Sequence, residues 1–389
     1  MRAALSLPSP EQEVLIACAR RDFVDGHQQQ VRAARARGLD WDQLEQAALD
    51  HGVAYFVYSH LLSHALVDEP RRTGWQAQLH RESAQALVLR DAQLRLARAF
   101  ERAQIPVVWL KGLVLSEALY GRSDARQCSD LDVLVEPARM SDVARVLAAE
   151  SFDPYSAPEP GKDEHPLGDH HQSFLKKAVA GCAILVEVHE RLSGPAACQP
   201  DVAGMMARAR PASLGDVPVQ VLCPEDELLV LAMHAHQHNF ALLRCLMDVA
   251  EYVQRCHNEI DWRVLVERAR AGRCLIRLAA ALELADRLLG LGEAGCCVAQ
   301  VPPLAGARAR VVRSLSPSFL IDIDREQDER LRLRLAALMD RWSDVLRVYA
   351  PRVFPPRAYV RGLCPPLVRR VPLGPHLYYY LWRLAGRLS

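Results

Sequence analysis

The sequence predicts an α+β protein, with a small mixed β-sheet core between helical N- and C-terminal domains. Three successive stretches of the 389 residues indicate this class. Residues up to about 100 read as helices, residues from about 105 alternate short apolar runs with helical segments, and a second helical region begins near 224. We therefore expect a helical domain over 1–103, an α/β core over 104–222, a helical domain over 223–348 and a tail over 349–389.

Capping signals support the N-terminal helices. Ser9 is followed by a proline and, three residues on, by Gln12, which is the signature of a capping box at a helix start. A second helix is predicted over 41–51, with Asp40 or Asp42 as its cap, and a long one over 80–103.

Apolar runs predict the strands of the core. We expect strands at 105–110, 131–135, 171–177 and 183–190, the last two as a hairpin around Gly181, and a closing strand at 219–221. Helices should occupy 113–120 and 138–150, and the Pro- and Gly-containing stretch 153–169 reads as a surface loop. The later helical region should extend to about 348 with a break near Pro302 and Pro303.

Composition limits the partners and the cellular compartment that we expect for this protein. The net charge of +1 gives no reason to expect nucleic acid as a partner. Eleven cysteines without a CxxC pair predict reduced core thiols, and no run is apolar enough for a signal peptide or a membrane span, so we expect a cytoplasmic protein. The tail is rich in Arg and Tyr, and it could bind an anionic surface or a peptide, or pack on the protein's own helices.

The acidic strand predicts a metal site. In an extended segment Asp130 and Asp132 share one face, while the apolar residues between and after them point the other way. Two neighbouring carboxylates repel each other unless a cation neutralises them, so the pair points to Mg²⁺ and phosphate chemistry. We expect these carboxylates to face solvent and metal rather than the core.

A third acid should come from a neighbouring strand. Glu187 and His189 share a face opposite two valines, and Glu187 is costly to bury without a partner. Glu187 could therefore complete the metal site or pair with an arginine. His171 or His189 could take a proton from an acceptor hydroxyl, or simply hydrogen-bond a carboxylate.

Lys111 and Gly112 end the first predicted strand. A glycine there lets the backbone approach phosphate oxygens, and the next helix points its N-terminal amides at the same place. Lys111 is one of only four lysines in the chain. On the later helical region His234 and His238 are one turn apart and could bind a metal, but no third ligand with a recognisable spacing follows, which favours core or hydrogen-bonding roles.

Several of these stretches together resemble the uncharacterised nucleotidyltransferase-like family of bacteria, which has a polymerase-β-like catalytic fold. The resemblance covers about residues 11–290, and its central motif R-x-x-S-D-[IL]-D-x-L-V spans Arg126 to Val135. The matching positions are 111–112, 126–135, 186–189, Glu225, Asp226, His234, His238, Leu246 and Asp248.

The resemblance implies a site for Mg²⁺ and a nucleoside triphosphate, with ATP expected. Asp130, Asp132 and Glu187 would hold the metal and, with His189, form the catalytic group. The nucleotide would contact Lys111, Gly112, Arg126 and Ser129. Leu113 stands where the superfamily usually has a small residue, so triphosphate binding would rely more on Lys111 and backbone amides.

The implied reaction is Mg²⁺-dependent transfer of a nucleoside monophosphate, with AMP expected, to a hydroxyl of a small molecule or peptide. The family's members are associated with specialised metabolism. Phosphoryl transfer at the same site and a catalytically inactive scaffold are the alternatives.

Overall fold

The computed structural model describes residues 8–155, 171–177, 183–192 and 200–315 continuously. Beyond these it describes 198, 331, 334–353, 360, 364, 377–378 and 380–381, with only the backbone for 348–353. The tail predicted over 349–389 and the loop residues 156–169 therefore lie largely outside the described residues.

Five helices precede the sheet. Their bounds are α1 (Pro10–Cys18), α2 (Asp25–Ala36), α3 (Trp41–Asp50), α4 (Ala54–Ser63) and α5 (Arg71–Arg102). The capping box predicted at Ser9 is confirmed, and the Asp40 carboxylate accepts the backbone N–H groups of Asp42 and Gln43 at the start of α3. The predicted long helix is also present, but α5 begins nine residues earlier than expected and buries Trp75 in its first turns.

The sheet is mixed, as predicted, but has seven strands instead of the five expected. The strands are β1 (Val108–Leu110), β2 (Asp130–Leu134), β3 (Asp153–Tyr155), β4 (His171–Lys177), β5 (Ala183–His189), β6 (Arg210–Leu214) and β7 (Val217–Val221). Their order is β3-β4-β5-β2-β1-β7-β6. The strand β2 runs antiparallel to β1 and parallel to β5, and β4 pairs with β5 antiparallel, as the hairpin prediction required. The two unpredicted strands, β3 and β6, form the edges of the sheet, and β3 lies at the start of the predicted loop.

Further helices lie between the strands and after them. They are α6 (Gly112–Tyr120), α7 (Met140–Ala149), α8 (Val202–Ala207), α9 (Pro224–Gln237), α10 (Leu243–Cys256), α11 (Trp262–Ala271), α12 (Leu275–Leu289), α13 (Gly295–Val298), α14 (Gly306–Ser314) and α15 (Trp342–Val353). The predicted break is confirmed, because the chain is not helical at Pro302 and Pro303.

The two faces of the sheet pack against different helices. Trp109, Leu131 and Val133 point to one face and share a hydrophobic cluster with residues of α5 and α7. Leu110 and Leu134 point to the other face and belong to a larger cluster. That cluster also contains residues of α1–α4 and of α9–α12, so helices from before and after the sheet share one core. The domain boundaries stay a prediction.

The described residues bear on two expectations from composition, reduced cysteines and the lack of a membrane-spanning segment. All ten cysteines among them are free thiols. No helix in the described part of the chain is long and apolar enough to cross a membrane.

Glu227 is a buried acid on α9, a helix whose apolar residues belong to the larger hydrophobic cluster. Its Oε1 atom is buried and has no hydrogen-bond partner among the described residues. Burial raises the pKa of Glu227 to about 7, and the nearby charges of Lys111 and Arg126 offset this only in part. The folded protein therefore holds a proton on Glu227 over a pH range in which the unfolded chain has lost it.

We expect this proton to make stability depend on pH. Because the folded pKa lies above the unfolded value of about 4.5, the contribution of Glu227 to stability is fully present below pH 4.5 and is lost as the pH rises through 7. Glu227→Gln keeps the shape and removes the titration, so at pH 8 it should be more stable than the wild type, by up to ~3 kcal/mol. Urea unfolding at pH 5 and pH 8 measures this, with the exposed Glu267→Gln as control. The same pH dependence in wild type and Glu227→Gln would contradict it.

Candidate active site

Asp132 lies at the centre of the site. Its Oδ2 atom is 3.2 Å from Nζ of Lys111, and its Oδ1 atom is 2.7 Å from Nε2 of His189. Asp132 is only 4% exposed, so the expectation that it faces solvent is wrong. Burial alone would raise the pKa of Asp132, but the Lys111 ammonium and the His189 hydrogen bond hold it well below its usual range. Asp132 is therefore a buried, ionised carboxylate.

Strand register brings the other predicted residues to Asp132. In the parallel pairing of β2 and β5, Asp132 is opposite Glu187 and Leu134 is opposite His189. The Nε2 atom of His189 is 3.6 Å from Oε2 of Glu187, and Nε2 of His171 is 3.6 Å from Oε1 of Glu187. No arginine forms an ion pair with Glu187 among the described residues, so the contacts favour the metal-site alternative over an arginine pair.

The titrating groups around Glu187 influence one another. Burial, followed by the charges of Asp132 and Asp130, raises the pKa of Glu187 to about 7. Burial, followed by the neighbouring His189, lowers the pKa of His171 to about 4. Burial and mutual repulsion therefore disfavour full ionisation of these carboxylates. A divalent cation bound between them would stabilise their ionised forms.

The donor groups fit such a cation. Asp132, Glu187 and His189 each offer a ligand atom, and these atoms all lie within 4.8 Å of one another. No other set of three or more acidic, histidine or cysteine side chains meets that condition in the described part of the chain. Asp130 is on the same strand face, but it is not part of this set, and its role as a metal ligand stays a prediction.

Lys111 and Gly112 form the turn between β1 and α6. Lys111 has a φ of 44° and Gly112 a φ of 55°, and a positive φ is uncommon for a residue other than glycine. A Cβ atom added to Gly112 would meet no atom within 4 Å, so there is open space beside this backbone. The first amides of α6 have no side-chain cap, and they are available to an anion approaching that space.

Arg126 is held by buried contacts with α6 and α10. Its Nε donates to Oδ2 of Asp248 at 2.9 Å, and the two side chains are 6% and 1% exposed. The backbone N–H of Arg126 donates to Oγ of Ser116, and Tyr120 donates its hydroxyl to Oδ1 of Asp248. These contacts join the entry of β2 to α6 and α10 within the core. The expected phosphate contact of Arg126 stays a prediction, and the observed contacts are structural.

Arg244 is a cation near the site that the sequence analysis did not identify. Its Nη1 donates to the backbone carbonyl of Gln127 at 2.8 Å, and its buried Nε has no partner among the described residues. It lines a cavity of about 210 Å³ together with the exposed Ser129, which precedes Asp130. Burial and the charge of Asp132 raise the pKa of Asp130, and Arg244 is one of the cations that oppose this rise.

Arg244 was missed because no local motif marks it. The one available signal was its spacing from Asp248, because residues four apart lie on the same face of a helix. Since Asp248 pairs with Arg126, the same face of α10 brings Arg244 close to residues 127–129. That inference requires knowing a contact across 122 residues.

The two histidines on the later helical region are not part of the acidic cluster. His234 is on α9 and His238 follows its end, and their ring centroids are 4.6 Å apart. Burial lowers the pKa of His234 well below its usual range. No third metal-ligating side chain joins them among the described residues, which favours the hydrogen-bonding or core alternative.

Comparison with known protein families gives the class of protein to which this fold and site correspond: nucleotidyltransferases. The profile of a family described as "Uncharacterised nucleotidyltransferase" matches residues 37–290, which is more than half of the chain. The protein belongs to this family, and the resemblance stated from the sequence is confirmed. No curated protein matches the sequence.

We expect Arg126→Gln to destabilise the fold. It would leave Asp248 buried without its cation, and the loss of one partner of a buried ion pair typically costs about 3–5 kcal/mol. Urea unfolding measures the change, with Arg263→Gln as control because its pair with Glu267 is exposed and should contribute under about 1 kcal/mol. Unchanged stability together with weaker nucleotide binding would contradict the structural role and favour the phosphate contact.

Proposed function

We propose that the protein transfers a nucleoside monophosphate, with AMP from ATP as the expected case, to a hydroxyl of a small molecule or peptide and releases pyrophosphate. One observation carries this proposal: the cluster of Asp132, Glu187 and His189 lies beside Lys111 and the uncapped start of α6, in a chain of a nucleotidyltransferase family. The proposal thus puts a cation site and a phosphate site side by side.

The cation would be held by Asp132 and Glu187, with Asp130 and His189 beside them. When bound, a divalent cation neutralises phosphate charge and polarises the phosphorus that is attacked, and Mg²⁺ is the ion usual with nucleoside triphosphates. Membership of the family supports the reaction class, and the cluster supports the need for a cation.

The phosphates would be held by backbone and by cationic side chains. The α6 amides and the space beside Gly112 suit phosphate oxygens, and the Lys111 ammonium lies at the same turn. Arg244 forms no ion pair with a carboxylate among the described residues, so its charge remains available to an anion. The cavity beside it is smaller than the roughly 300–1000 Å³ of pockets for whole ligands, so it suits one part of the nucleotide, such as a phosphate group.

The acceptor would approach from the side of Glu187 and His171. These two side chains are 22% and 24% exposed, whereas Asp132 and His189 are almost fully buried. The acceptor oxygen would bond to the α-phosphorus, the bond to the β-phosphate oxygen would break, and pyrophosphate would leave with its electrons. The hydroxyl proton would pass to Glu187 or to the neighbouring His171.

We expect Asp130→Asn and Asp132→Asn to lose turnover. The loss of a metal ligand should remove several kcal/mol of transition-state stabilisation, which corresponds to about 10³-fold or more in rate. The assay incubates the protein with each α-labelled nucleoside triphosphate, a divalent cation and a panel of hydroxyl compounds. Nucleotidyl transfer puts the label on the acceptor and releases unlabelled pyrophosphate, whereas phosphoryl transfer leaves the label on nucleoside diphosphate. Asp216→Asn is the control, because its carboxylate is exposed.

The products distinguish the alternatives in this assay. Nucleoside diphosphate instead of pyrophosphate would indicate phosphoryl transfer. Absence of nucleotide binding by the folded wild type would favour a scaffold. Near-wild-type turnover in either aspartate variant would contradict the assigned site.

We expect Lys111→Ala and Arg244→Gln to weaken nucleotide binding. A charge-assisted contact to phosphate is worth about 1.5–3 kcal/mol, so each variant should raise the dissociation constant roughly tenfold or more. Calorimetric titration with ATP and a divalent cation measures this. The matched controls are Lys177→Ala and Arg263→Gln, whose side chains are exposed. An unchanged constant for folded Lys111→Ala would remove the lysine from the phosphate site, and the same result for Arg244→Gln would remove the arginine.

A further inference from the structure

The cation site contains a nitrogen donor between two carboxylates. The Nε2 atom of His189 is 2.7 Å from Oδ1 of Asp132 and 3.6 Å from Oε2 of Glu187. Donors bound about 2.1 Å from one ion at right angles lie about 3 Å apart. The observed spacing is close to that value, so a small adjustment would let all three groups bind a single ion.

The neighbouring strand adds a second imidazole. His171 is opposite His189 in the pairing of β4 and β5, and their ring centroids are 5.1 Å apart. Because His171 also lies 3.6 Å from Glu187, imidazoles approach both oxygens of that carboxylate. The β4–β5 side of the site is therefore richer in nitrogen than a site made of acids alone.

The ligand type bears on which ion is bound. Mg²⁺ takes oxygen ligands and retains several waters, whereas imidazole suits transition-metal ions. Mn²⁺ accepts both carboxylate and imidazole, and the three groups present here are two carboxylates and one imidazole.

The two oxygens of Asp132 face different surroundings. Oδ1 faces His189, whereas Oδ2 faces Lys111 and the turn next to the phosphate site. If the Lys111 ammonium moved to a nucleotide phosphate, Oδ2 would be free to serve a second ion, as in two-metal sites whose ions lie about 3.5–4 Å apart.

We propose that Asp132, Glu187 and His189 hold a resident transition-metal dication of the Mn²⁺ type in preference to Mg²⁺, and that Mg²⁺ enters separately with the nucleotide. This inference rests on the proposed function for the second ion only. The competing arrangement is one in which His189 only orients Asp132 through a hydrogen bond and every metal ligand is an oxygen.

The test uses the full-length protein without nucleotide. Calorimetric titration with MnCl₂ and with MgCl₂ should show at least tenfold tighter binding of Mn²⁺. Pulsed electron paramagnetic resonance of bound Mn²⁺ should show coupling to imidazole ¹⁴N, and incorporation of ¹⁵N-histidine should replace that coupling with the ¹⁵N pattern. This readout needs neither a substrate nor a variant.

A variant then assigns the nitrogen. His189→Gln should lose the ¹⁴N coupling and bind Mn²⁺ at least tenfold more weakly, while the exposed His80→Gln should match the wild type. Bound Mn²⁺ without histidine nitrogen coupling, coupling that persists in His189→Gln, or equal affinity for Mg²⁺ would overturn the inference and leave the proposed function standing. If neither Mn²⁺ nor Mg²⁺ bound the wild type, with or without ATP, both this inference and the proposed function would be overturned.

Discussion

The site is organised around the buried charge of Asp132. A carboxylate that is 4% exposed loses most of its hydration, and it stays ionised because Lys111 and His189 contact its two oxygens. Those partners come from the end of β1 and the end of β5, the two strands that flank β2. The sheet register therefore sets the geometry before any ligand binds. The positive φ of Lys111 fits this account, since the turn holds the lysine in an uncommon backbone conformation beside the acid.

A second buried ion pair links this site to the helices that follow the sheet. Arg126 and Asp248 join the entry of β2 to α10, and the same helix places Arg244 against the carbonyl of Gln127. Because both contacts lie on neighbouring turns of α10, a shift of that helix would move the loop before the aspartates and the nearby cation together. The acidic strand thus depends on a part of the chain more than a hundred residues away.

The alternation of polar and apolar residues was enough to predict the faces of β2 and β5. It placed Asp130 with Asp132 and Glu187 with His189, but it could not give the register that puts Asp132 opposite Glu187. Strands β3 and β6 were not predicted because Pro154 and Pro211 argue against a strand, and both turn out to be edge strands, where proline is tolerated. Arg126 was expected at phosphate from the family resemblance, and nothing near it in sequence indicates its ion pair with Asp248.

Burial varies across the site in a way that bears on how two substrates could meet there. Ser129 is exposed beside Arg244, Asp132 is buried, and Glu187 and His171 are partly exposed on the next strands. In the proposed reaction, the nucleotide would reach the buried carboxylate from the side of Ser129 and Gly112, and the acceptor from the side of Glu187. Displacement at phosphorus has the attacking and leaving oxygens roughly in line. Two separate approaches, one past Ser129 and one past Glu187, would suit that requirement, whereas a single opening would make the acceptor and the departing pyrophosphate compete for the same path.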